Sequence, residues 1–261
     1  MFSEIWNRQP KECTNGLKLF GDEEDGDFFD EDDVLSWQKG RFAQNFASEK
    51  LIKNAASRRL IEEIVRKQEP YVDLACGPGM GLIPSIKKLC PEIPCMATDA
   101  NAILIKEWSK WLRDSNISIG IELAQFSLFD IPLKERAVKA YGGFLGISST
   151  RNGCKGYDKA LSEIYRTLTS KGRLYVIESE WVDVPSIIKV FEKSGIRPWT
   201  CFMEEQVAWH ERFIKCGFRI LSEEIYENHK LNSNDNELGS AAERSGEKIE
   251  MLWKAYILEK P

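Results

Sequence analysis

The sequence predicts an α/β protein built on a mostly parallel, doubly wound sheet with helices on both faces, and three observations carry that expectation. Short apolar runs alternate with helix-patterned segments along most of the 261 residues, as a parallel sheet with helical crossovers requires. Val72-Asp73-Leu74-Ala75 runs directly into Cys76-Gly77-Pro78-Gly79-Met80-Gly81, a strand-like stretch ending in three glycines at alternate positions. The next apolar run, residues 94–98, closes on Asp99, about twenty residues past the glycines, where a carboxylate at the end of a second strand can accept from vicinal ribose hydroxyls.

Glycines are needed where the backbone takes positive φ or lies against a ligand, and the helix that follows can aim its free amides at a bound molecule. The spacing selects the cofactor. A dinucleotide loop has the pattern G-x-G-x-x-G/A, whereas here the pattern is G-x-G-x-G and Leu82 stands where the last small residue belongs. Asp73 lies inside the strand, where its carboxylate can accept loop amides and hold them.

The remaining elements follow in order. Residues 51–66 are expected as a helix, and residues 83–89 as a short one with Pro84 in its first turn. Asp99 could also cap the helix expected over residues 102–114. Strands are expected over residues 119–126 and 142–148. Ala160, Leu161, Ile164, Tyr165 and Leu168 have helical spacing within residues 157–169, and Ser170-Lys171-Gly172 is a helix stop. A strand over residues 173–178, a helix over 207–216 and a strand from 217 come next. Residues 227–247 are polar and are expected as a flexible loop. Residues 248–258 alternate as a final strand with Ile249, Met251, Trp253, Ala255 and Ile257 on one face.

The strand, its acid and the G-x-G-x-G loop resemble motif I of the class I S-adenosylmethionine (SAM)-dependent methyltransferases. Residues 160–177, from Ala160-Leu-Ser-Glu to Tyr-Val-Ile177, are independently similar to the helix-turn-strand after the substrate-facing loop of that family. The resemblance covers residues 51–261 and implies a seven-stranded, mostly parallel sheet closed by an antiparallel last strand, with residues 1–50 as an N-terminal cap. It implies SAM as cofactor and S-adenosylhomocysteine as product. The implied cofactor residues are Asp73, Ala75, Gly77, Pro78, Gly79 and Gly81 around the loop, and Asp99 and Ala100 at the ribose. Ile147 and Ser148 are implied near the sulfonium. Ser127, Leu128, Phe129 and Asp130 border adenine. Either Ser127 or Asp130 stands where the family commonly has an adenine-binding acid, depending on whether Pro132 or the carboxylate is matched.

Composition bounds the function further. The net charge is −5, with no dense basic stripe interleaved with aromatics, which argues against nucleic acid as partner. Residues 146–153 lack an N-P-P-Y phrase for adenine amino methylation. Seven scattered cysteines without a C-x-x-C pair are expected as reduced thiols, and Cys76 as a compact residue under the loop. Two histidines argue against a histidine metal cluster, so no metal is expected, and His210 is expected to be an ordinary helix residue. No run is long enough to span a membrane and no secretory pattern begins the chain, so a cytoplasmic protein is expected.

Residues 22–33 hold nine acidic side chains interrupted by Gly26, Phe28 and Phe29, a self-repelling run expected as a solvated loop, with a lid or docking strip for a basic partner as the alternative. Trp37, Arg41, Phe42 and Phe46 are candidates to fold over the cofactor, with core packing as the alternative. Ser149, Arg151, Asn152, Glu178, Glu180 and Trp181 are expected near the acceptor entrance, Glu180 being a candidate base and no catalytic residue being legible. The leading function is methyl transfer to an O or N nucleophile of a small molecule. A protein or RNA methyltransferase and a non-catalytic SAM-binding protein are the alternatives, and oligomeric state is left open.

Overall fold

The computed structural model describes residues 2–14, 16–21, 41–115, 120–150, 153–198, 202, 206–233 and 237–261. The strands are β1 (Glu12–Thr14), β2 (Leu17–Leu19), β3 (Tyr71–Asp73), β4 (Cys95–Asp99), β5 (Ile121–Gln125), β6 (Val138–Phe144), β7 (Leu168–Trp181), β8 (Arg219–Lys230) and β9 (Glu250–Glu259). The helices are α1 (Arg41–Ala47), α2 (Lys50–Lys53), α3 (Ala55–Lys67), α4 (Ile83–Leu89), α5 (Ala102–Asp114), α6 (Gly153–Thr167), α7 (Val184–Ser194), α8 (Trp209–Cys216) and α9 (Glu237–Ser245).

All nine described strands form one sheet in the order β1-β2-β5-β4-β3-β6-β7-β9-β8. β3 lies at the centre between β4 and β6, parallel to both, and β9 inserts antiparallel between β7 and β8. The antiparallel closure matches expectation, but the strand number does not. Residues 12–19 add two strands beyond the expected seven, with β2 parallel to β5 through Leu17↔Leu123 and Leu19↔Gln125. That part of the N-terminal segment therefore lengthens the sheet edge instead of capping it. Trp6 stacks on Phe20 at 4.6 Å and bridges Leu133.

Alternation along the strands feeds two cores. Tyr71, Cys95, Ala97, Tyr175 and Ile177 face a core with Leu60, Ile61 and Ile64 of α3 and Leu104, Ile105 and Trp108 of α5. Val72, Leu74, Met96, Leu174 and Val176 face the opposite core with Leu161 and Ile164 of α6 and Trp209 and Phe213 of α8. The final strand likewise divides its residues, Ala255 and Ile257 to one core and Tyr256 and Leu258 to the other, so it is covered on both faces.

Three local expectations change. The helix expected over residues 51–66 is two helices, because Asn54 is extended (φ −78°, ψ 132°) and its side chain accepts from Ala56 N and Ser57 N to start α3. The strand expected over residues 142–148 is β6, which begins four residues earlier and stops at Phe144, because Leu145 turns to φ +56°. The loop expected over residues 227–247 contains the end of β8 and helix α9, whose Leu238, Ala241 and Ala242 pack on Ile187, Val190 and Phe191 of α7. Small residues every three or four positions supply that contact.

Candidate functional site

The site is built where β3, β4 and β6 end, at the carboxyl edge of the sheet. Beyond Asp73 the chain winds through a 3-10 turn, Gly77–Gly79, into α4. Ala75, Gly77, Met80 and Gly81 all have φ between +47° and +55°. Such a path persists only when its surroundings enforce it. Cys76 N donates to Thr98 O (2.7 Å) and Gly81 N to Cys76 O (3.0 Å). The carbonyls of Gly77 and Pro78 accept from Trp108 Nε1 of α5 (3.0 Å) and Asn45 Nδ2 of α1 (2.8 Å).

Asp73 is fully buried, and its Oδ2 accepts from Leu82 N and from the Tyr71 hydroxyl, both at 2.8 Å. It therefore ties the far end of the loop back to the strand. Burial raises its carboxyl to about 7 against the lowering effect of those two donors. The three glycines have different causes. A Cβ on Gly81 would collide with the Asp73 carboxylate, and its φ is left-handed as well. Gly79 has neither constraint, because an added Cβ there would meet nothing within 4 Å and its φ is ordinary. No neighbouring atom among the described residues explains that glycine, which fits close approach of a bound molecule.

Asp99 ends β4 directly opposite. Its Oδ2 accepts from Gly77 N and its Oδ1 from Asn101 N, both at 2.9 Å, and burial raises its carboxyl above the usual value. Asn101, not Asp99, caps α5 by accepting from Leu104 N (2.9 Å). A carboxylate has about four lone-pair positions, so Asp99, which also takes an amide contact from Ala100, retains acceptor capacity for a hydroxyl. These residues fit the adenosyl portion of SAM.

The turn after β5 is brought to Asp99 by the Phe126 N to Asp99 O bond (3.0 Å). Ser127 Oγ accepts from Phe129 N (3.2 Å), and Leu128 lies in the core. Asp130 points away, 67% exposed and paired with Arg8 at 2.6 Å. Ala100 is present through its carbonyl, which accepts from Gln125 Nε2 (2.9 Å). The fully buried Gln125 also accepts from Phe20 N and Gly21 N, which draws the N-terminal segment to this edge.

After β6, Ile147 N and Ser148 N donate to Glu178 Oε1 (3.0 Å) and Oε2 (2.9 Å). Glu178 was expected at the acceptor entrance and is instead fully buried, its carboxyl raised to about 7 by burial. Two buried carboxylates thus pin two adjacent loops, Asp73 the one after β3 and Glu178 the one after β6. Glu180 is similarly committed. It accepts from Trp209 N (2.9 Å) and the Tyr256 hydroxyl (2.9 Å) and pairs with Lys254 (2.9 Å), so its expectation as a base is replaced by a structural one.

The buried Phe42 stacks on Trp108 at 4.0 Å and the half-buried Phe46 packs on Trp111 at 5.5 Å, so both pack against the core. Residues 22–40, Arg151 and Asn152, with the side chain of Arg41, lie outside the described residues. Cys76 is buried and its thiol is pushed well up by burial, as a packing residue should be. His210 pairs with Glu223 at 2.7 Å on the surface. Among the described residues no acid, cysteine and histidine cluster could hold a metal, and no helix is long and apolar enough to cross a membrane.

Residues 32–198, well over half of the chain, match the ubiE/COQ5 methyltransferase family. The chain belongs to that family. The resemblance drawn from the glycine loop is borne out, and with it SAM as the cofactor. A ubiquinone/menaquinone biosynthesis C-methyltransferase of Rhizobium etli is 26% identical over 129 residues, covering 49% of this chain and 48% of the relative. The match thus spans about half the length of that curated relative. Among solved structures, MccD superposes with a TM-score of 0.52 at 15% identity, over 78% of this chain and 98% of that one. The [4+2]-cyclase SpnF gives 0.54 at 15% identity, over 87% and 95%. A geranyl diphosphate C-methyltransferase from Streptomyces coelicolor A3(2) gives 0.52 at 12% identity, over 78% of each chain. These structures establish the α/β architecture for this member of the family, and the matched region holds both pinned loops.

Sequence reasoning missed Asn45, Asn101, Gln125 and the role of Glu178. Asn101 had a signal, an Asn just ahead of a helical run. The other three act across long sequence separations that spacing does not reveal.

Proposed function

We propose that this ubiE/COQ5 family member transfers the methyl group of SAM to a nucleophilic atom of a small molecule. One observation carries the reading: the Asp99 carboxylate is bonded to Gly77 N beside the bare outer side of Gly79. In this reading Gly77, Pro78 and Gly79 receive the amino acid portion, with Asp73, Ala75 and Gly81 keeping the loop in shape. Asp99 and Ala100 receive the ribose. The Ser127–Leu128–Phe129 turn borders adenine, with Asp130 turned outward, and Ile147 and Ser148 border the reacting centre.

SAM supplies a methyl group already activated on a sulfonium sulfur. The chain's task is to align the acceptor with that carbon and the leaving sulfur, and to exclude water. A bond forms from acceptor to carbon as the carbon–sulfur bond breaks, its electron pair staying on sulfur. Any acceptor proton passes to solvent, since Glu180 and His210 are engaged elsewhere. The acceptor atom expected from sequence is O or N, and the C-methyltransferase name of the curated relative adds carbon. The net charge of −5, with no dense basic stripe interleaved with aromatics, favours a small acceptor over RNA.

Calorimetric titration with S-adenosylhomocysteine, using NADH as control, tests the reading. Asp99→Ala is expected to weaken binding by about 1–3 kcal/mol, the loss of charge-assisted contacts, and NADH is expected not to bind. Equal binding to wild type and variant, or preference for NADH, would overturn it.

A further inference from the structure

On the α3 face of the sheet, beside the loop held by Glu178, three aromatic rings from three strands meet, and the His229 ring of β8 stacks on one of them, Trp253, at 5.5 Å. Phe144 ends β6 and sits edge-on to Tyr226 of β8 and Trp253 of β9, 5.7 Å from each ring centre. Tyr226 and Trp253 are parallel to within 8°, their centres 6.1 Å apart. The place of Tyr226 is built by an irregularity, because the β8–β9 register slips between Ile225 and Glu227. Bulges of this kind re-aim a side chain. Ile225 is 62% exposed and Tyr226 only 4%. Asn54, the α3 cap, donates from Nδ2 to the Tyr226 carbonyl at 2.7 Å and fixes the bulge from the helix side.

Two polar edges in this box are unmatched. The Tyr226 hydroxyl and Trp253 Nε1 are buried without a hydrogen-bond partner among the described residues, and an unmade bond to a buried polar atom is costly. An indole N–H is a donor only, so whatever meets Trp253 brings an acceptor atom. A third donor lies at the rim: Lys50 Nζ is 5.9 Å from both ring centres. Its pairing with Glu227 at 3.1 Å is partly exposed on both sides. Such surface pairs contribute little, so another anion can take Lys50 over at little cost.

We propose that Phe144, Tyr226 and Trp253, with Lys50 at the rim, form the acceptor subsite, and that it takes a planar aromatic carboxylate. A flat ring matches aromatic walls through stacked and edge-on contacts. The carboxylate oxygens answer the hydroxyl, the indole N–H and the ammonium together, with charge-assisted strength at Lys50. An amine would set its own N–H groups against a donor-only indole and a lysine. Only the word acceptor rests on the methyltransferase reading.

The test titrates the whole protein with naphthoate, naphthamide and naphthylmethylamine, with and without saturating S-adenosylhomocysteine, by calorimetry and by nitrogen-edited NMR of the indole N–H groups. The Trp253 signal is assigned from Trp253→Phe. Naphthoate is expected to bind and shift that signal, with the amide and the amine at least about tenfold weaker. Trp253→Phe, Tyr226→Phe and Lys50→Met are each expected to weaken naphthoate by about fivefold or more. Tyr226→Phe removes a single oxygen, so it keeps the test valid if Trp253→Phe misfolds. No naphthoate binding, an unmoved Trp253 signal, or equal binding of the amide or amine overturns the proposal. Failure of S-adenosylhomocysteine to bind overturns the methyltransferase reading instead, and naphthoate seated on the box in its absence leaves the subsite standing.

Discussion

Replacing Glu178 by Gln removes a charge that the fold buries between two loop amides, and the consequence is a pH dependence of known sign. The folded carboxyl is raised from the usual 4.5 to about 7 by burial. Between those values the folded state binds the proton and the unfolded chain does not, so this group's contribution to stability is full below pH 4.5 and declines as pH rises toward 7. The full span is roughly 3.4 kcal/mol, at 1.36 kcal/mol per unit, and about 2.5 kcal/mol of it falls between about pH 5 and about pH 8. Glutamine cannot titrate. It also offers one acceptor oxygen where Ile147 N and Ser148 N need two, and sets its NH₂ against the other amide. That second effect is constant with pH, so comparing wild type and Glu178→Gln by urea unfolding at both pH values isolates the first. Wild type is expected to lose about 2.5 kcal/mol relative to the variant on going from the acidic to the basic condition. Parallel profiles would show that Glu178 titrates like an exposed carboxylate and would refute the account of a buried anchor.

Other expectations concern the same edge of the sheet. Gly81→Ala should destabilise the fold by more than 1 kcal/mol, about what a forced clash at positive φ costs. Gly79→Ala should leave thermal unfolding unchanged and weaken S-adenosylhomocysteine, which melting curves and calorimetry on both variants will separate. Arg8→Ala should change stability by less than about 1 kcal/mol and leave S-adenosylhomocysteine binding intact, because the Arg8–Asp130 pair is exposed; a large loss of affinity would return Asp130 to the adenine site. Alkylation at neutral pH followed by mass mapping should label the exposed Cys13 and spare the buried Cys76 until the protein is unfolded.

The parts of this molecule legible in its sequence are those governed by local pattern. Asp73, the glycine spacing and Asp99 follow one another within thirty residues, and strand alternation is periodic, so the central sheet and the loop were readable. What escaped depends on distant partners. β1 and β2 are three residues each, too short to carry a period, and exist as strands because β5 lies alongside. Residues 227–247 look polar because α9 buries mainly one leucine and two alanines. Glu178 and Glu180 stand two residues apart on one strand, yet both are absorbed by neighbours that only the folded chain supplies. Phe42 and Phe46 could equally have lined a ligand or a core, and the tryptophans of α5 decide for the core.

The Gln125 clasp also orders events in the making of the protein. Leu17 to Gly21 find their partners in Leu123 to Gln125, about a hundred residues later in synthesis. On a ribosome adding about 5–20 residues per second, that leaves several seconds or more during which residues 17–21 have no β5 to dock on. Until residues 17–21 dock, β5 has an uncovered flank, a template for mispairing with another chain. Residues 17–21 therefore settle only after Gln125 has been made, and their docking covers the sheet edge beside Asp99.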